Sequence, residues 1–164
     1  MNITLTGMSG AGKSTVGVLL AKVLGFNFLD TDLVIQQREG RLLQEIIDSD
    51  GNERFIKTEE AAVMTVDVDN TVIATGGSVI YSDRSMQHLA SLGKIVYLHV
   101  PYEELEGRLC NVSTRGIVFR NGSCLKDVYE ERLPLYEKYY DVKIECGKMN
   151  VNEIIDEIKK QLGI

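Results

Sequence analysis

Tryptophan is missing from the 164 residues, and there are only two prolines and two histidines. His88 and His99 have no partner at metal-ligand spacing, so both are read as structural. Cysteine is sparse too. Cys110, Cys124 and Cys146 are scattered, in neither a zinc pattern nor a disulfide framework. They are expected to be reduced thiols in a reducing compartment. Basic residues are outnumbered, 18 against 24 acids, for a formal net charge of −6. A chain that grips a nucleic-acid backbone is ordinarily basic, so no nucleic-acid partner is expected. No apolar run approaches membrane-spanning length, so no membrane partner is expected. The first β-prone run begins directly after Met1, which predicts no signal peptide and a cytoplasmic protein. Repeats, low-complexity stretches and linkers are lacking as well. What remains is an ordinary globular composition, long enough for a substantial core and read as one domain over 1–164.

The informative stretch is Gly7-Met8-Ser9-Gly10-Ala11-Gly12-Lys13-Ser14-Thr15. It fits G-x-x-x-x-G-K-[ST], the phosphate-binding loop of nucleotide-triphosphate enzymes. A short β-prone run, residues 2–6, precedes it. Val16, Leu19, Leu20, Val23 and Leu24 follow at helical spacing, and Gly25 is placed to end the helix. A loop between a strand and a helix start turns backbone N–H groups toward an anion. Gly10, Ala11, Gly12 and Thr15 are expected to line the phosphates. Lys13 would reach the β- and γ-phosphates, and the Ser14 hydroxyl would take a place on Mg²⁺.

The rest of the chain alternates strands and helices. Strands are predicted at 27–30, 71–75, 94–100 and 142–146. Helices are predicted from Leu33 to Arg38, from Leu42 to Asp48, around Phe55 to Val63, and after Ser82 as N-cap. Further helices are predicted after Pro101, over 125–140 with a kink at Pro134, and over 151–162. Residues 111–124 lose all periodicity and carry Arg115 and Arg120; they read as a lid. This order predicts an α/β fold: a five-stranded parallel sheet with helices on both faces, a P-loop NTPase-like three-layer sandwich. Ligands of such sheets sit at the carboxyl ends of the strands. That edge would gather Asp30 and Asp32 after the second strand and Gly76 and Gly77 after the third. Taken alone the two acids read as a helix N-cap and a first-turn charge; beside a phosphate loop a metal or acceptor role is favoured.

These residues resemble a shikimate kinase, a small P-loop kinase family, over nearly the whole length. The resemblance rests on the phosphate loop, Phe28-Leu29-Asp30-Thr31-Asp32, Ile35 to Gly40, and Asp50-Gly51 with Phe55 and Glu59. It also rests on Thr75-Gly76-Gly77, Arg115, and Arg132-Leu133-Pro134-Leu135-Tyr136. It implies ATP and Mg²⁺ as cofactors and shikimate, or a similar small carboxylated polyol, as acceptor. It implies that Asp30 orients Mg²⁺ and that Asp32 holds the acceptor hydroxyl and takes its proton. It implies acceptor contacts at Gly76, Gly77 and Arg132, a phosphate-closing Arg115, and Arg108 against adenine. The helical segment 31–65 would bind the acceptor. A monomer is expected.

Two positions depart from the family pattern. Ile56 stands where an arginine usually contacts the acceptor carboxylate, a contact isoleucine cannot make. Arg54 and Lys57, one step away, point about 100° from it on a helix. Ser78 stands for a third glycine, at a position where positive φ is expected. A kinase for another sugar acid or polyol, such as gluconate, is therefore an alternative. So is a nucleotide-binding regulatory module with little turnover, against which the retained Lys13, Ser14, Asp30, Asp32 and Arg115 argue.

Overall fold

The computed structural model describes residues 1–109 and 124–164. Arg115, Arg120 and the expected lid up to residue 123 lie outside the described residues. The sheet has five parallel strands in the order β2-β3-β1-β4-β5. They are β1 (Asn2–Thr6), β2 (Asn27–Asp30), β3 (Thr71–Ala74), β4 (Gly93–His99) and β5 (Val142–Glu145). β1 is central and wholly buried. The Asn2 side chain at its start is satisfied by backbone: Nδ2 donates to Val68 O and Leu92 O, and Oδ1 accepts from Thr71 N. That pins the central strand between the segments leading into β3 and β4.

Helix α1 (Lys13–Leu24) follows the phosphate loop and closes at Gly25, whose φ of 69° suits a left-handed cap. Its buried stripe is Val16, Gly17, Leu20 and Ala21. Leu19 and Val23, expected inside, are 39% and 56% exposed. Small residues set the face: a Cβ on Gly17 would lie 2.7 Å from the Phe28 ring, so the helix sits close there and turns its flank outward.

After β2 come α2 (Thr31–Glu39), α3 (Leu43–Asp50) and α4 (Asn52–Val63). They build a second small core from Ile35, Ile46, Phe55 and Ala62. β3 leads into a short 3₁₀ turn, Val79–Tyr81, and then α5 (Asp83–Leu92). Ser82 caps α5 as expected, its Oγ accepting from Ser85 N at 3.0 Å. β4 precedes Pro101 and α6 (Tyr102–Leu109); α7 (Leu125–Tyr136) precedes β5 and α8 (Val151–Leu162). The predicted helix to residue 140 ends at Tyr136 instead. Pro134 lies in its last turn, where the missing N–H hastens the end of the helix rather than splitting a longer one. Asn150 and Glu153 form a capping box that starts α8. Its Ile154, Ile155 and Ile158 join the main core, which carries helices on both faces of the sheet.

Candidate active site

The first functional element is the turn after β1. Gly7 has φ 144°, and a Cβ there would lie 2.6 Å from Leu98 O. Only glycine lets the loop leave the sheet so close to β4. Lys13 is 8% exposed, with Nζ donating to Gly7 O at 2.7 Å and Met8 O at 2.9 Å. Its ammonium thus lies folded across the loop. Arg108 on α6 reaches the same loop, Nη1 to Gly10 O at 3.5 Å, and pairs with Glu104.

Asp30 closes β2 with its two oxygens in different roles. Oδ1 accepts from Asp32 N at 3.0 Å, capping α2. Oδ2 accepts from Ser14 Oγ at 2.7 Å. Capping and metal orientation therefore do not compete. An all-oxygen pair with room for phosphate and water suits Mg²⁺, which takes few protein ligands. Among the described residues no group of three or more His, Cys, Asp and Glu side chains is placed to hold a metal ion.

Lys13, Ser14, Asp32, Gly76, Gly77 and Arg132 border one cavity of about 400 Å³. Burial pushes the Asp32 carboxyl up to about 6; the Asp30 charge adds to this and Lys13 opposes it. Gly76 N donates to Thr31 Oγ1 at 3.2 Å, fixing the loop after β3. A Cβ on Gly76 would lie 2.5 Å from Glu59 Oε1 and 2.8 Å from Asp32 Oδ1. On Gly77 it would lie 2.9 Å from Arg132 Nη1. These glycines are needed for space, since neither has positive φ. Arg132 is 1% exposed, with Nε donating to the Tyr81 hydroxyl and its guanidinium over the Tyr81 ring.

The expected strain at Ser78 is not found. Its φ is −91°, an ordinary helical value, and Oγ donates to Glu59 Oε2 at 2.6 Å. The reason is that Val79 already begins the 3₁₀ turn. Ile56 is half-buried and does not line the cavity; Arg54 is exposed and directed at Asp50. Lys57 is exposed as well, and neither Arg54 nor Lys57 lines the cavity.

Sequence reasoning passed over three contributors. Glu59 came only with the resemblance, yet it is buried and pushed up to about 7, chiefly by burial. A carboxylate four residues after Phe55, on a face that continues to Ala62 and Val63, was a legible signal. Tyr136, named so far only as the end of the motif that begins at Arg132, donates from its hydroxyl to Gly77 O at 2.6 Å. Ser9 meets the space above Gly77 from the phosphate loop. For these two, spacing carried no signal, because the contacts join distant segments.

Comparison with known proteins agrees with this geometry. Residues 9–163 match the family described as shikimate kinase. The chain is 36% identical over 165 residues to the shikimate kinase of Pseudomonas paraeruginosa, covering 99% of this chain and 96% of that one.

The chain belongs to the shikimate kinase family.

It is therefore a phosphotransferase using ATP with Mg²⁺, as the resemblance implied. Among solved structures, shikimate kinase from Acinetobacter baumannii in complex with shikimate superposes with a TM-score of 0.90 at 30% identity. That match covers 99% of this chain and 93% of the other. A gluconokinase from Sinorhizobium meliloti, at 19% identity and TM-score 0.60, covers 99% of this chain and 91% of its own; it shares the fold alone. Gluconate-type acceptors thus lose ground against shikimate. No helix of the described residues is long and apolar enough to cross a membrane.

Proposed function

We propose that this shikimate kinase family member transfers the γ-phosphoryl group of ATP to the 3-hydroxyl of shikimate, acting as a cytoplasmic monomer. The observation that supports this reading is the convergence on one cavity of a phosphate loop, an Asp30–Ser14 oxygen pair, a raised-pKa Asp32 and a buried Arg132. Asp32 accepts the proton of the acceptor hydroxyl, whose oxygen then bonds to the γ-phosphorus as the bond to ADP breaks. A carboxylate of pKa about 6 is mostly ionised at neutral pH and still a competent base. Lys13 leaves its two carbonyls to meet the β- and γ-phosphates. Ser14 and Asp30 would hold Mg²⁺, which when bound would supply charge neutralisation. Arg132 binds the acceptor carboxylate beside Gly77, and Arg108 flanks the base. Arg115 adds positive charge over the phosphates by the family resemblance alone. The segment 31–65 carries the acceptor side of the cleft.

The test is ADP release with ATP and Mg²⁺, with shikimate and with gluconate in turn. Turnover with shikimate is expected. Turnover with gluconate alone, or tight ATP binding without turnover on either, would overturn the reading.

A further inference from the structure

Apart from Asp32, the part of the cavity lined by α2, α3 and α4 is uncharged. Among the described residues it consists of Gln36, Leu42, Leu43, Gln44 and Phe55. Only the two glutamines can hydrogen-bond through a side chain there. Gln44 is exposed, and its Nε2 donates to Asp48 Oδ1 at 2.7 Å, within its own helix. Gln36 is half-buried and is held differently.

Gln36 stands four residues after Asp32 on α2, so the two side chains share a face, and both border the cavity. The N-cap position of α3 is Leu42, which has no side-chain oxygen to offer the first N–H groups of that helix. Gln36 Oε1 meets one of them, accepting from Leu43 N at 3.2 Å. Only an oxygen can accept that N–H, so the bond decides which way the carboxamide faces. Its Nε2 is turned away from Leu43 N, and no acceptor for it is found among the described residues. An amide donor, oriented from behind by a helix start, thus borders the acceptor space.

We propose that Gln36 determines acceptor specificity, its Nε2 donating to the acceptor carboxylate that Arg132 also holds. The inference rests on the proposed reading, in which Asp32 takes the reacting hydroxyl and Arg132 the carboxylate. Side chains one helical turn apart start about 5–6 Å from each other. Gln36 therefore meets a group set off from the hydroxyl on Asp32 rather than that hydroxyl itself. On the shikimate ring the carboxylate stands in 1,3 relation to the 3-hydroxyl. The 5-hydroxyl shares that relation but accepts without charge. A carboxylate only accepts, which suits a group presenting only N–H, and the hydrogen bond is charge-assisted.

The experiment measures dissociation constants for shikimate and its neutral methyl ester by NMR titration of the wild type, Gln36→Glu and Gln36→Met, with kcat and KM for shikimate alongside. Glutamate keeps the shape and the oxygen for Leu43 N, but it loses the donor and sets a negative charge against the acceptor's own. It is expected to weaken shikimate by about 10- to 100-fold, the range for a hydrogen bond to a charged group, and the ester by about threefold or less. KM should rise while kcat stays within about twofold. Methionine lacks both the donor and the oxygen but adds no charge, so shikimate should weaken by about tenfold at most, less than with glutamate. A purely structural role reverses this order. Glutamate, still serving Leu43 N, would then match the wild type, and methionine would be the damaged variant. That reversed order, or equal weakening of acid and ester, would overturn this inference, and turnover of shikimate would leave the proposed function standing. No turnover of shikimate by the wild type would overturn both.

Discussion

Replacing Glu59 with glutamine isolates the energetic consequence of burying this acid. Its carboxyl is raised from 4.5 to about 7, with burial the largest cause and the Asp32 charge adding to it. The Ser78 hydrogen bond and the positive charges of Arg132 and Lys13 oppose the shift without cancelling it. Between pH 4.5 and 7 the native protein therefore holds a proton that the unfolded chain has released. Stability must fall as pH rises through that window and level off above it. The displacement corresponds to about 3 kcal/mol. Glutamine keeps the shape and an oxygen for Ser78 but does not titrate. Urea unfolding of both proteins from pH 4.5 to 8 should show the wild type losing about 3 kcal/mol relative to Glu59→Gln. In thermal melts this is about 6–12 °C for a chain of this size. Asp32 titrates in both proteins, so its own contribution largely cancels in the difference. Parallel stability profiles would refute the reasoning, since they would mean that Glu59 binds protons equally in both states.

Other expectations follow from the same geometry. Asp32→Asn should lower kcat at least 100-fold with little change in ATP binding, and wild-type kcat/KM should fall below about pH 6 as Asp32 protonates. Gly76→Ala places a methyl between Glu59 and Asp32, so KM for shikimate should rise by about tenfold or more in steady-state assays. Ser14→Ala should raise the Mg²⁺ concentration for half-maximal activity while thermal stability moves by less than about 1 kcal/mol, since Ser14 is exposed. Ile56→Arg should lower KM for shikimate; an unchanged KM would mean that the acceptor lies away from α4.

Much of this fold could be read in advance because periodicity and caps agree. The phosphate loop, Ser82 and the apolar face of α8 each announce their element locally. The α1 face was misjudged because Gly17 and Ala21 mark the contact by being small, which a count of large apolar residues overlooks. The helix end at Tyr136 was missed because Pro134 does not say whether a helix bends or stops. In the site, Lys13 and Ser14 follow from the phosphate-loop motif, and the roles of the two aspartates from the family resemblance. The Glu59–Ser78 bond does not. Nineteen positions apart in sequence, these residues meet only when α4 packs against the loop after β3, and nothing local to either predicts it. Ser78 looked like a liability because its backbone was guessed before its partner was known.

Acids at the acceptor cavity also shape how a turnover would end. On the proposed reading an uncharged hydroxyl enters beside Asp32 and leaves as an ester whose phosphate carries close to two negative charges. The Asp32 carboxylate then faces that dianion across the cavity it shares with Lys13 and Arg132, so its repulsion favours discharge of product while the two cations restrain it.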